Sequence, residues 1–179
     1  SYLGSIGGWY LTGEMMRFCK RLADRFPEAK FLFISPHRHE VIGAAASQYG
    51  MDPQKIITRQ AARNEVPVLL SFSNYALFFI KPCYSKISSS PTKHGEIMAM
   101  GIPVITNSGV GDVAEIVSKY HAGYVLQDFS ETSFSETADK IAVGMHFNSD
   151  EIREGAKAYY SLSEAVNRYR KVYGAILGD

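Results

Sequence analysis

Ser88-Ser89-Ser90-Pro91-Thr92-Lys93-His94-Gly95-Glu96-Ile97-Met98-Ala99-Met100-Gly101-Ile102-Pro103-Val104-Ile105 reads as a loop, a short helix and a buried strand in direct succession. Ser90 suits an N-cap and Pro91 the first helical position, where its fixed φ and missing N–H cost nothing. Gly101 suits the position just past the end, where a left-handed residue stops the helix. The spacing predicts a helix of about ten residues, and the apolar run Ile102–Ile105 predicts a strand. Ile97, Met98, Ala99 and Met100 are apolar all round, so the helix is expected to be buried with its polar start facing a cleft.

The chemistry of the stretch lies at that start. Free N–H groups at a helix N-terminus carry partial positive charge and attract an anion, phosphate above all. Thr92 adds a hydroxyl and Lys93 a full positive charge. At about 100° per residue, Glu96 falls on the face between Thr92 and Lys93. A carboxylate there repels phosphate but accepts hydrogen bonds from hydroxyls farther along the same ligand. Phosphate at the tip and a diol beside Glu96 together describe a nucleotide. An exposed Lys93–Glu96 pair of purely structural meaning fits the same spacing.

Outward from this stretch, strands and helices alternate. Tyr2–Gly4, Phe31–Ile34, Lys55–Thr58, Tyr75–Ile80, Ile102–Ile105 and Gly123–Leu126 read as strands. Met15, Phe18, Cys19, Leu22, Ala23 and Phe26 recur at helical spacing up to Pro27, and a second helix fits 38–49. Asn64 is a candidate cap for a short helix over 66–72, and another helix fits 113–120. Ser133–Glu136 and Ser161–Glu164 have capping-box spacing, and a helix over 150–160 lies between the helices they open. Strands such as Phe31–Ile34 are apolar almost throughout, as when helices cover both faces of a sheet. The expectation is an α/β fold: a doubly wound, mostly parallel six-stranded sheet, Rossmann-like, with extra C-terminal helices, as a single domain over 1–179. Ligands of such sheets bind beyond the carboxyl ends of the strands, where the loop holding Gly7 and Gly8 and the loop 81–93 both open.

Composition narrows the function. With 46% hydrophobic and 21% charged residues and a formal net charge of +1, the chain has an ordinary globular balance and no basic surplus for nucleic acid. No apolar run approaches a membrane-spanning length, so no transmembrane segment is expected. Cys19 and Cys83 lack metal spacing, and such sparse cysteine use fits a reducing, cytoplasmic setting. His37-Arg38-His39-Glu40 puts two histidines at i and i+2 on different helix faces, a poor metal set, and no metal or cofactor is expected.

The whole chain resembles the C-terminal, donor-binding domain of retaining glycosyltransferases of the GT-B fold, a family that includes many bacterial polysaccharide and lipid glycosyltransferases. Tyr2–Tyr10, Ser90–Ile105, Gly109–Val117 and the closing Tyr169–Tyr173 segment carry the resemblance. It implies that Glu96 binds the ribose hydroxyls of a nucleotide-sugar. Ser90, Pro91 and Thr92 would hold the diphosphate by backbone N–H groups, and Gly7 and Gly8 would let the first loop approach it. It also implies a separate N-terminal acceptor-binding domain, absent from this chain, through which peripheral membrane contact could occur.

Three positions depart from the family pattern. Ser88 stands where a sugar-contacting glutamate is usual, and Ser5 and Thr12 stand where an arginine and a lysine usually stabilise the leaving diphosphate. Lys93, or else Lys86, is the candidate for the missing charge. Two other functions stay open: a nucleotide-sugar epimerase of the same architecture, for which His94 is the one nearby acid–base group, and a non-catalytic nucleotide-binding module with a degenerate site.

Overall fold

The computed structural model describes residues 1–36 and 38–178. Six strands are present among the described residues: β1 (Tyr2–Leu3), β2 (Phe31–Ile34), β3 (Ile56–Arg59), β4 (Ala76–Leu77), β5 (Val104–Asn107) and β6 (Gly123–Leu126). The helices are α1 (Thr12–Arg25), α2 (His39–Gln48), α3 (Val66–Leu70), α4 (Thr92–Ala99), α5 (Val113–Lys119), α6 (Glu131–Val143), α7 (Ser149–Tyr160) and α8 (Leu162–Leu177).

The strands form two parallel three-stranded sheets, β1-β2-β3 and β4-β5-β6. Ser1 joins them edge to edge: its N-terminal amine donates to the Tyr75 carbonyl at 2.7 Å, and its carbonyl accepts from Leu77 N–H at 2.6 Å. The spatial order is therefore β3-β2-β1-β4-β5-β6. Its direction of growth reverses between β1 and β4, which is where doubly wound sheets open a crevice. Helices cover both faces, so the inner strands are largely buried: Phe31, Phe33 and Ile34 in β2 and all four residues of β5. Tyr2, Phe18, Phe78, Phe79 and Phe134 anchor one continuous core, and Met98, Ile116, Ile152 and Ala156 form a smaller one where α7 packs on α4 and α5.

Several local expectations are corrected. Pro91, in extended backbone, is the N-cap of α4, with no side-chain cap; Ser90 lies one residue farther out. Asn64 does not cap α3: Glu65 is its N-cap, and the Glu65 carboxylate accepts from Ala62 N–H instead. Ser130, not Ser133, caps α6, accepting from Ser133 N–H at 3.1 Å. Ser161 does cap α8, as its spacing predicts. β4 stops after two residues because the chain leaves the sheet to meet the first loop. Leu11 N–H donates to the Phe79 carbonyl at 3.0 Å, and Ile80 forms an antiparallel bridge with Tyr10.

Asn107 makes that detour permanent. Its side chain is buried, accepts from Ile80 N–H at 2.9 Å and donates to the Ile80 carbonyl at 3.0 Å, acting as a strand edge would. Removing it leaves two buried backbone groups without partners, each costing about 1–3 kcal/mol. Asn107→Ala is expected to destabilise the chain by about 2–4 kcal/mol in urea denaturation, and Asn107→Asp by at least as much, because its carboxylate would be buried against the Ile80 and Ser108 carbonyls. A loss below about 1 kcal/mol in Asn107→Ala would show that Ile80 does not depend on the amide.

Candidate functional site

The loops at the carboxyl edge converge on the β1/β4 junction. The chain leaves β1 through Gly4, at φ +122°, and turns back at Gly7 and Gly8, both left-handed. Lys81 N–H donates to the Trp9 carbonyl at 2.8 Å, and the Lys86 ammonium lies 4.8 Å above the Trp9 ring. The glycine loop and the loop before α4 are thus held together through Trp9, which is itself half exposed. Gly111 pins the second loop from below. Its N–H donates to the Lys86 carbonyl at 2.9 Å, and a Cβ there would stand 1.8 Å from the Ser89 carbonyl oxygen, so only glycine fits.

The N-terminus of α4 opens into this assembly. The Thr92 and Lys93 backbone N–H groups have no hydrogen-bond partner among the described residues. Ser90 and Thr92 are exposed and Pro91 is half-buried. The helix face departs from expectation here: Thr92 and Glu96 face outward, while Lys93 and His94 are buried.

Lys93 reaches from α4 back to the end of β1. Its ammonium lies 3.6 Å from the centre of the Tyr10 ring and 4.4 Å from that of Tyr2, and donates to the Tyr2 hydroxyl at 3.3 Å. A Cβ on Gly4 would stand 2.7 Å from it. The charge therefore sits beneath the first loop and has no ion-pair partner among the described residues. Burial pushes its pKa down to about 7, against a smaller opposing pull from Glu96. Ring faces offset part of the lost hydration.

His94 is fully buried between Phe78 and Tyr160. Burial pushes its pKa down to about 4, so the ring is neutral at ordinary pH and out of reach of a substrate. Glu96 is half exposed and holds Arg63, from the loop after β3, at 3.2 Å. Ser88 is exposed on the loop, and Ser5 is exposed just past Gly4.

Arg38 is a cation that sequence reasoning missed. It occupies the left-handed region at φ +63° as N-cap of α2, and its guanidinium donates to the Ile6 carbonyl at 3.4 Å, over the glycine loop. Its place in the loop between a strand end and the next helix was the available signal. His37 lies outside the described residues, and among those described no group of three His, Cys, Asp or Glu side chains could hold a metal. No helix among them is long and apolar enough to cross a membrane. A cleft of 820 Å³ runs beside Phe31, Phe33, Leu69 and Phe72, and neither the glycine-loop residues Gly7 and Gly8 nor any residue of 88–96 lines it.

The family model described as "Glycosyl transferases group 1" matches residues 14–154. No curated protein matches the chain. Among solved structures, the chain is similar to AviGT4, a glycosyltransferase involved in avilamycin A biosynthesis (TM-score 0.68, 20% identity, 99% of this chain and 50% of that one). It is similar to a glycosyltransferase from Rickettsia africae ESF-5 (TM-score 0.72, 14% identity, 98% and 47%). It is also similar to the C-terminal domain of the glycosyl transferase group 1 family protein LpcC from Francisella tularensis (TM-score 0.59, 19% identity, 94% and 84%). These similarities show the fold, and the chain spans about half the length of the first two proteins.

The buried lysine has a thermodynamic signature. Between its folded pKa of about 7 and the ordinary 10.5, the unfolded chain holds a proton that the native state does not, so stability rises with pH across that window. Urea denaturation at pH 6, 7, 8 and 9 is expected to show wild-type stability climbing above pH 7 relative to Lys93→Met, whose profile lacks this component. Parallel profiles would mean that the ammonium is hydrated in solution.

Proposed function

The chain belongs to the glycosyl transferases group 1, and on that premise we propose that it is the donor-binding domain of a glycosyltransferase. In this reading it holds a nucleoside-diphosphate sugar for transfer to an acceptor carried by a separate N-terminal domain. The transfer is cytoplasmic, retains the anomeric configuration, needs no metal and serves the assembly of a polysaccharide or related glycan. The observation that carries the reading is the uncapped start of α4 at the β1/β4 switch point, facing the left-handed glycine loop.

Each residue then has a physical task. The free N–H groups of Thr92 and Lys93 receive the diphosphate, with Ser90 and Pro91 shaping the approach. Gly7 and Gly8 let the first loop come close without a side chain in the way. Glu96, half exposed and already engaged with a guanidinium, accepts from the ribose hydroxyls. Lys93 contributes its field from beneath Gly4, Lys86 and Arg38 from either side of the glycine loop, and Ser88 meets the sugar as a neutral hydroxyl. Charge building on the departing diphosphate is thus stabilised by groups already in place. The epimerase alternative loses support, because His94 is sealed in the core. The degenerate-module alternative keeps in its favour the uncharged side chains at Ser5, Thr12 and Ser88.

Calorimetric titration with UDP, GDP and ADP tests the reading. One of the three is expected to bind, with Glu96→Ala weakening it about tenfold or more, as for loss of hydrogen bonds to a charged group. Lys93→Met is expected to weaken it as well; unchanged affinity would leave Lys93 as a brace of the core alone. No binding of any nucleotide would refute the donor domain.

A further inference from the structure

Among the described residues, Arg63 is the one group in ion-pair or hydrogen-bond contact with the Glu96 carboxylate, its guanidinium 3.2 Å from Oε1. It comes from the far side of the fold. Arg63 stands in the short loop between β3 and α3, at the outer edge of the first half-sheet, whereas Glu96 stands on α4, which packs on β5 of the second. The turn that carries Arg63 is closed from both ends. Ala62 N–H donates to the Glu65 carboxylate at 2.7 Å, and Glu65 N–H donates to the Ala62 carbonyl at 2.9 Å. The backbone at Arg63 is therefore held in place, although the side chain itself is 90% exposed.

Stability does not account for this pair. An ion pair so open to water contributes little, because solvent screens the attraction and ordering a long side chain costs entropy. Its place beside α4 does have a consequence for a ligand. Thr92 and Glu96 lie four residues apart on one outward face, about 6 Å along the helix axis. That is inside the screening length of about 8–10 Å at moderate salt. A Glu96 carboxylate without a partner would thus repel a diphosphate held at the Thr92 and Lys93 N–H groups. The Lys93 ammonium is not that partner, since it is turned inward to Tyr2 and Tyr10 beneath Gly4. Arg63 supplies the offsetting charge from outside. It engages one carboxylate oxygen and leaves Oε2 free.

We propose that Arg63 is a positioning residue for the donor: it holds Glu96 with one oxygen turned to the ribose diol and cancels the charge that would oppose the diphosphate. The proposal rests on the donor-domain reading and adds to it a residue from the first half-sheet. Arg63 acts through Glu96 and does not itself touch the ligand.

Calorimetric titration with UDP, GDP and ADP, run as a double-substitution cycle, tests this role. For the nucleotide that the wild type binds, Arg63→Ala is expected to weaken affinity about three- to tenfold. Arg63→Lys is expected to recover most of that loss, because a single nitrogen–oxygen contact links the pair. In a Glu96→Gln background, which has no charge to offset, Arg63→Ala is expected to change affinity by less than about twofold. An equal loss in both backgrounds, as direct ligand contact or a damaged fold would give, overturns the proposal. Equal affinity of wild type and Arg63→Ala overturns it too. The two readings fail separately. Nucleotide binding that needs Glu96 and ignores Arg63→Ala keeps the donor domain and discards the role of Arg63, whereas no nucleotide binding by the wild type refutes the donor domain and the proposal with it.

Discussion

A positive charge is buried where the two half-sheets meet. The Lys93 ammonium rests between the Tyr2 and Tyr10 rings and under Gly4, tying α4 to β1 across the crevice. Burying an ammonium without a carboxylate is costly, and the rings and one hydroxyl return only part of its hydration. The surroundings reflect that constraint. Gly4 cannot carry a side chain, Tyr2 must donate its own proton onward to the Ser5 carbonyl, and α4 must enter at the angle that brings Lys93 inward. The same entry angle turns Thr92 and Glu96 outward. The exposed side of α4 and its buried side are two consequences of one placement.

Rigidity at the crevice comes from backbone held by side chains and glycines rather than by sheet ladders. Asn107 holds Ile80 in the manner of a neighbouring strand, and Gly111 admits the Ser89 carbonyl within a distance no other residue allows. Trp9 and Lys86 link the two loops above. Loops fixed in this way can offer free N–H groups to a ligand without collapsing onto them. That matters for catalysis, because prearranged dipoles need no reorganisation when charge develops.

Much of the fold was legible in the sequence because the signals were local. Phe31–Ile34 and Gly123–Leu126 have the strand bounds read from their apolar runs, and α1 ends before Pro27 as periodicity predicts. Errors gathered where two neighbouring residues offered the same chemistry. Ser90 and Pro91 are both plausible starts for α4, and Ser130 and Ser133 both plausible caps for α6; the backbone conformation at the helix entry decided between them. Asn64 failed as a cap because Glu65 folds back onto Ala62.

From sequence alone came the alternation of strands and helices, the parallel sheet, and the expectation of anion chemistry in the stretch 88–105, since each follows from spacing and side-chain type within a few residues. Only the tertiary structure decided that Lys93 points inward and Glu96 outward, that Arg38 leans over the glycine loop, and that His94 is sealed against Tyr160. The reason is geometric. A helix of eight residues shows its neighbours every face, and which face is buried depends on the angle at which a distant strand and a distant helix receive it.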